Sequence, residues 1–111
     1  MATISWDDFA KVDVRVARVV AAEAFTEARQ PAYRLTLDFG SLGTRRSSAQ
    51  LTKRYRPETL VGRLVVAVVN FPPKRIANLL SEVLVLGVMV ADDDVVLLQP
   101  DQDVPLGTRI A

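Results

Sequence analysis

Apolar and polar positions alternate along much of this chain with the period of two that marks a strand with one buried face. Val12, Val14 and Val16 interleave with Asp13, Arg15 and Ala17 and predict a strand running to about Ala24, long enough to need a bend. Tyr33, Leu35, Leu37 and Phe39 interleave with Arg34, Thr36 and Asp38 and predict a second strand ending at Gly40. Gly40-Ser41-Leu42-Gly43 reads as a hairpin turn, with Arg45–Leu51 as the returning strand. Leu64–Val69 is a continuous apolar run and predicts a strand buried on both faces. Val83–Ala91 and Val95–Leu98 predict two more strands joined across Asp92-Asp93-Asp94. Helical signals are short. Ser5 and Asp8 resemble a capping box that opens a helix through about Ala10, and Pro57-Glu58-Thr59-Leu60 suits one turn with proline at its start. Thr26–Ala32 reads as a loop, Phe71–Leu80, with two prolines, as a long functional loop, and Pro105-Leu106-Gly107 as a turn. The pattern predicts an all-β fold, a small closed barrel with short flanking helical turns.

At 111 residues the chain predicts a single domain over 1–111. Half its residues are hydrophobic, more than one small core hides, so a homodimer that covers the surplus is expected. Cysteine and histidine are absent, which excludes disulfides, thiolate chemistry and any imidazole-activated nucleophile. Neither an enzyme nor a cofactor or metal is expected. The N-terminus does not pair a basic stretch with an apolar run, and the apolar runs fall far short of the roughly 20 residues of a membrane span. A cytoplasmic protein without membrane insertion follows as the expectation.

Charge changes this picture more than composition does. The formal net charge is +1, yet Ser41–Leu80 holds eight basic residues against the single Glu58, while residues 81–111 hold one basic residue against six acids. A basic block folded onto one face makes a local field that attracts anions. The block contains Ser47-Ser48-Ala49-Gln50 and Asn70-Phe71-Pro72-Pro73, so small, amide, aromatic and proline residues interleave with the arginines. Against a plain solvated face stands the mixture of Phe71 and Tyr55 with basic residues, which single-strand nucleic-acid and peptide grooves use. Prolines around Phe71 stiffen the segment that presents it. Three adjacent aspartates lack the spaced ligands and glycine turn of a cation loop, and Asp92-Asp93-Asp94 reads as a solvated hairpin tip.

Three motifs carry a resemblance. Ser47-Ser48-Ala49-Gln50-Leu51-Thr52-Lys53-Arg54-Tyr55, Val68-Val69-Asn70-Phe71-Pro72-Pro73-Lys74-Arg75-Ile76-Ala77 and Ser81-Glu82-Val83-Leu84-Val85-Leu86-Gly87 resemble the CsaA-type export chaperones, within the wider group of tRNA-binding OB-fold modules. The resemblance runs from Phe9 to Gln102. It implies a five-stranded OB-fold barrel that dimerises through its terminal regions and binds unfolded preproteins and the export motor SecA; the wider group binds tRNA on the same face. Asn70, Pro73, Lys74, Arg75 and Ser81 match the tRNA-binding pattern, but Glu82 stands where those relatives have glutamine. A carboxylate repels phosphate and accepts hydrogen bonds from peptide amides or lysines. The loop Ala77-Asn78-Leu79-Leu80 also lacks the glycine and basic residue usual there.

Two readings follow. A peptide-binding export chaperone would lay an extended client across Arg46, Ser48, Gln50, Lys53, Arg54, Asn70, Phe71, Lys74, Arg75, Ser81 and Glu82, with apolar contact to Phe71 and the Leu79-Leu80 loop. A tRNA-binding module would set Arg46, Lys53, Arg54, Lys74 and Arg75 against phosphates, with Phe71 or Tyr55 as a stacking platform. Trp6 and Phe9 predict a helix packed on the barrel or across a dimer interface.

Overall fold

The computed structural model describes the whole chain, Met1–Ala111. Ten strands run in chain order: β1 Val14–Ala24, β2 Tyr33–Asp38, β3 Thr44–Ala49, β4 Leu64–Val68, β5 Lys74–Ile76, β6 Leu79–Ser81, β7 Leu84–Val85, β8 Gly87–Ala91, β9 Asp94–Leu97 and β10 Arg109–Ile110. Five of them form one antiparallel path, β3-β2-β1-β4-β7, with β10 added to β1. This nearly closed barrel is the expected five-stranded OB-type fold.

β1 is the strand on which the barrel turns. Val14–Arg18 pair with β4 and Arg18–Ala24 with β2, so its two halves belong to different walls. The register shifts between Val19 and Ala21, and an extra residue of this kind bends a strand and increases its twist. The length of the alternating run had required such a bend. Inside lie Val19, Leu35, Leu37, Phe39 and Val65, and Leu60 closes one end from the single turn α2, Pro57–Leu60.

β4 is buried at every position, as its unbroken apolar run predicts. Val65 and Ala67 face the interior, while Leu64, Val66 and Val68 join Val14 and Val16 in a second cluster on the outer face. Val104, Leu106 and Ile110 of the C-terminal tail lie over that cluster. Gly107 fixes the tail: its N–H donates to Val16 O at 2.8 Å, and Phe39 O stands where a Cβ would be. Its φ of 84° excludes most other residues as well.

Two expectations are corrected and a third is narrowed. Val83–Ala91 is not one strand: Leu86 bonds to Val66 O, and at Gly87 the chain leaves the barrel so that β8 pairs with β9 alone. Glycine is required there because Val95 and Val96 of β9 cross against its Cα. Phe71–Leu80 is not wholly a loop, since β5 and β6 form a hairpin turned by Ala77-Asn78, with Ala77 at φ 50°. Third, the helix α1, Trp6–Ala10, has the expected Ser5–Asp8 capping box and no buried residue: Phe9 reaches the outer face of the barrel, while Trp6 is 90% exposed.

Candidate ligand-binding face

The barrel closes along a seam between β3 and residues 81–83, and side chains do much of the closing. In β3, Arg46 and Ser48 turn backbone groups away from β2. Arg46 N–H donates to Glu82 Oε1 at 3.0 Å, and Glu82 N–H returns to Arg46 O at 2.8 Å. Ser48 N–H donates to Ser81 Oγ at 3.1 Å, and the fully buried Ser47 hydroxyl donates to Val83 O at 3.0 Å. Only one of these four bonds joins backbone to backbone. Glu82 thus has a structural task that its sequence position did not announce: one carboxylate oxygen completes the ladder. The other oxygen settles its chemistry, because a glutamine there would offer a donor where Glu82 offers a second acceptor.

Beside the seam lies an open hollow of about 290 Å³ lined by Ser48, Phe71, Pro72, Lys74, Ile76, Ser81, Glu82, Val83 and Leu84. β3 and β6 supply its polar floor, and the β5–β6 hairpin and the proline-stiffened Phe71 segment supply its walls. Phe71 stays half exposed, at 52%, and Leu84 is 49% exposed. The hollow therefore sets apolar surface beside a hydroxyl pair, a carboxylate and an ammonium. Of the residues expected at the site, Ser48, Phe71, Lys74, Ser81 and Glu82 meet here. Arg46 adjoins it through the Glu82 bonds, its guanidinium 3.8 Å from Glu23. Lys74 and Arg75 are consecutive on β5 and so point to opposite faces; Arg75 does not line the hollow.

The other expected residues go elsewhere. Asn70 is a strut: its Oδ1 accepts from Asp13 N–H at 2.9 Å and its Nδ2 donates to Lys11 O at 2.7 Å, tying the end of β4 to the N-terminal segment. Gln50 and Lys53 line a separate crevice of about 110 Å³ with Gln30, Pro31, Thr52 and Asp93. Arg54 forms a forked ion pair with Asp94, and Lys53 lies 3.6 Å from Asp93. Asp92-Asp93-Asp94 does turn a hairpin, but it is no plain solvated tip, because the Asp94 side chain is only 13% exposed. The Arg54 guanidinium, mainly by its hydrogen bond, holds the Asp94 carboxyl below the usual carboxylate range, and Asp94 raises Arg54 in turn.

Tyr55, the alternative stacking platform, is engaged within the fold. Its hydroxyl accepts from Leu97 N–H at 3.0 Å, and its ring lies 5.2 Å from the Arg63 guanidinium. Leu79 is buried against Phe25 and Ala32, leaving Leu80 alone exposed in that pair. Ile76, Val83 and Leu84 of the hollow escaped sequence reading; the alternation in a three-residue strand is too short to say which face is open.

A second, apolar hollow of about 580 Å³ lies on the far side of the sheet, among Phe9, Val14, Val16, Val66, Leu86, Leu98, Pro100, Val104 and Ile110. No helix is long and apolar enough to cross a membrane.

The fold is shared with a known group. The family model "Putative tRNA binding domain" matches residues 14–109, so the chain belongs to the tRNA-binding domain family. Within it, the chain is 56% identical to the chaperone CsaA of Bacillus anthracis str. Ames, whose crystal structure superposes at a TM-score of 0.96, covering 99% of this chain and 100% of that one. The CsaA chaperone protein of Picrophilus torridus is 46% identical, with a TM-score of 0.89 over 98% and 100% of the two chains. The chain is also 44% identical to part of the methionine–tRNA ligase of Thiobacillus denitrificans (strain ATCC 25259 / T1), spanning 97% of this chain and only 16% of that protein.

Proposed function

We propose that the chain is a non-catalytic chaperone of protein export that holds unfolded preprotein segments in the hollow beside the β3 seam. The observation that carries this reading is the hollow's composition: Phe71, Ile76 and Leu84 stand beside Ser48, Ser81, Glu82 and Lys74. An extended segment offers alternating apolar side chains and backbone amides to such a lining. The apolar wall takes the side chains, the free Glu82 oxygen accepts an amide or a lysine, and Lys74 meets a carbonyl or carboxylate. Recognition by backbone and shape tolerates many client sequences. The similarity to two proteins described as CsaA chaperones supports it. SecA belongs to the same reading as the partner receiving the client, in the cytoplasm.

The active form in this proposal is a homodimer. A five-residue helix has no stability of its own in water, yet α1 has no buried residue in its own protomer, and only Phe9 reaches the barrel. Ile4, Trp6 and Phe9 stand exposed on the N-terminal segment, and Phe9 reaches the 580 Å³ apolar hollow. A second copy that covers both removes this apolar surface from water.

A second reading, tRNA binding through the same face, is favoured by the family match and by Lys74 and Arg75, which take part in no ion pair. Titrating an unfolded precursor peptide and a tRNA side by side across a salt series separates the two. The chaperone reading expects micromolar peptide binding that Phe71→Ala with Lys74→Glu weakens about tenfold or more, with a shallow salt slope. Strong tRNA binding with a slope of several phosphate contacts, and no peptide binding, would overturn it.

A further inference from the structure

Three consecutive residues of the basic block are each bound to the same hairpin. Lys53 reaches Asp93, Arg54 is forked onto Asp94, and the Tyr55 hydroxyl holds Leu97 N–H. The β8–β9 hairpin forms a sheet of its own, and a lone two-stranded hairpin is marginal in water. Leu97 and Val95 seat β9 on the barrel core, and the clasp fixes the tip against residues 53–55. We propose that the acidic tip is a built-in polyanion filter: Asp93 and Asp94 occupy Lys53 and Arg54, hold a nucleic-acid backbone off that part of the face, and so favour peptide in the hollow. The inference deepens the peptide-binding reading by naming what sets its selectivity.

The chemistry is one of substitution. A guanidinium grips a carboxylate and a phosphate with the same two-pronged geometry, so Asp94 fills the site that a phosphate would take on Arg54. Asp94 is mostly shielded from water and is carried on the same chain, so a phosphate must displace a partner that is always present. Lys74 and Arg75 have no such partner, and the hollow with Phe71 and Glu82 stays open. The filter thus subtracts two of the five cations that a tRNA would use and none of the residues lining the peptide hollow.

The test is a mutant cycle in the full chain. Asp93→Asn with Asp94→Asn keeps the shape of both side chains and removes both charges. Binding of a tRNA and of an unfolded precursor peptide is measured from about 0.05 to 0.5 M salt. Two freed phosphate contacts steepen the tRNA salt slope by about 1.4–1.8, which is roughly a 25- to 60-fold larger loss of affinity between 0.05 and 0.5 M salt than in the wild type. Peptide affinity changes less than about twofold. Asp7→Asn with Asp101→Asn removes the same charge from exposed acids outside every ion pair, and raises tRNA affinity less than about threefold. Adding Lys53→Ala and Arg54→Ala to the hairpin variant abolishes the gain, even if the hairpin has loosened. The proposal is overturned if the hairpin variant gains no tRNA affinity, if the control variant gains as much, or if the gain survives loss of Lys53 and Arg54. Absence of peptide binding in every variant would instead strike the chaperone reading alone.

Discussion

Ser47→Ala tests whether side chains close the barrel. Ser47 is fully buried, and its hydroxyl has one proton to give; Val83 O at 3.0 Å is the nearer of two acceptors, with Ser48 O at 3.3 Å. Alanine leaves the carbonyl of Val83, itself only 6% exposed, without this donor. A buried acceptor stripped of its partner costs about 1–3 kcal/mol. Unfolding entropy near 2.1 cal/mol/K per residue over 111 residues turns that into a fall in Tm of about 4–13 °C. The neighbouring Ser48→Ala is the control, because its hydroxyl makes no protein hydrogen bond and faces the hollow; it should shift Tm by less than about 2 °C. Calorimetry reads both. Amide exchange adds a local readout: the Arg46 and Ser48 amides, bonded to Glu82 and Ser81, should exchange faster in Ser47→Ala while those of β1 do not. Equal, small Tm shifts in the two variants, with unchanged exchange at Arg46 and Ser48, would refute the seam as the element that closes the barrel.

Trp6→Asp should convert the proposed dimer to monomer, raising its dissociation constant about 30-fold or more if Trp6 anchors the interface at roughly 2 kcal/mol; sedimentation equilibrium of a wild type that is already monomeric at micromolar concentration would contradict the dimer itself. Ala77→Gly relieves an L-residue held at φ 50° and should raise Tm by about 2–4 °C, the steric gain of roughly 1–2 kcal/mol exceeding glycine's added chain entropy. A fall in Tm would show that Ala77 is not strained. The Asp94 carboxyl, lowered by Arg54, contributes stability that is fully present above its unfolded value near 3.9 and is lost as pH falls through the lowered folded value. The stability difference between wild type and Asp94→Asn should therefore be flat from pH 8 to pH 5 and shrink only below about pH 4; a difference that vanishes by pH 6 would rule out this pair as its source.

Long regular patterns were legible and short or distant relationships were not. β1 and β2 show alternation, β4 shows an unbroken apolar run, and α1 and α2 carry capping and proline signals that act locally. β5 and β6 have three residues each and turn on an alanine instead of a glycine, so nothing in the sequence marked them as a hairpin. The break at Leu86-Gly87 hides within an apolar run because leaving the barrel changes the neighbours of a strand, not its hydrophobicity. Trp6 carries the same apolar signal whether it packs inside or outside the protomer. The hollow was half legible: Ser48, Phe71, Lys74, Ser81 and Glu82 share motifs, whereas Asn70 shares the motif and serves the N-terminus. Hydrogen bonds spanning 57 residues, as from Asp13 to Asn70, leave no local trace.

The uneven distribution of charge acquires its meaning only in three dimensions. The acid-rich C-terminal third does not merely balance the basic centre in the sum; it folds back onto part of it. Asp93 and Asp94 neutralise Lys53 and Arg54, Glu23 lies beside Arg46, and the Arg63 guanidinium rests on Tyr55. The cations left without an acid include Lys74 and Arg75, on the hairpin that walls the hollow. The field that a ligand meets in the hollow is thus narrower than the sequence block, set by Lys74 and bordered by the free oxygen of Glu82. A long phosphate track needs many cations in a row. A positive point beside an apolar wall and an acceptor suits a short stretch of polypeptide, while Arg46, Arg54 and Arg63 are turned to contacts within the fold.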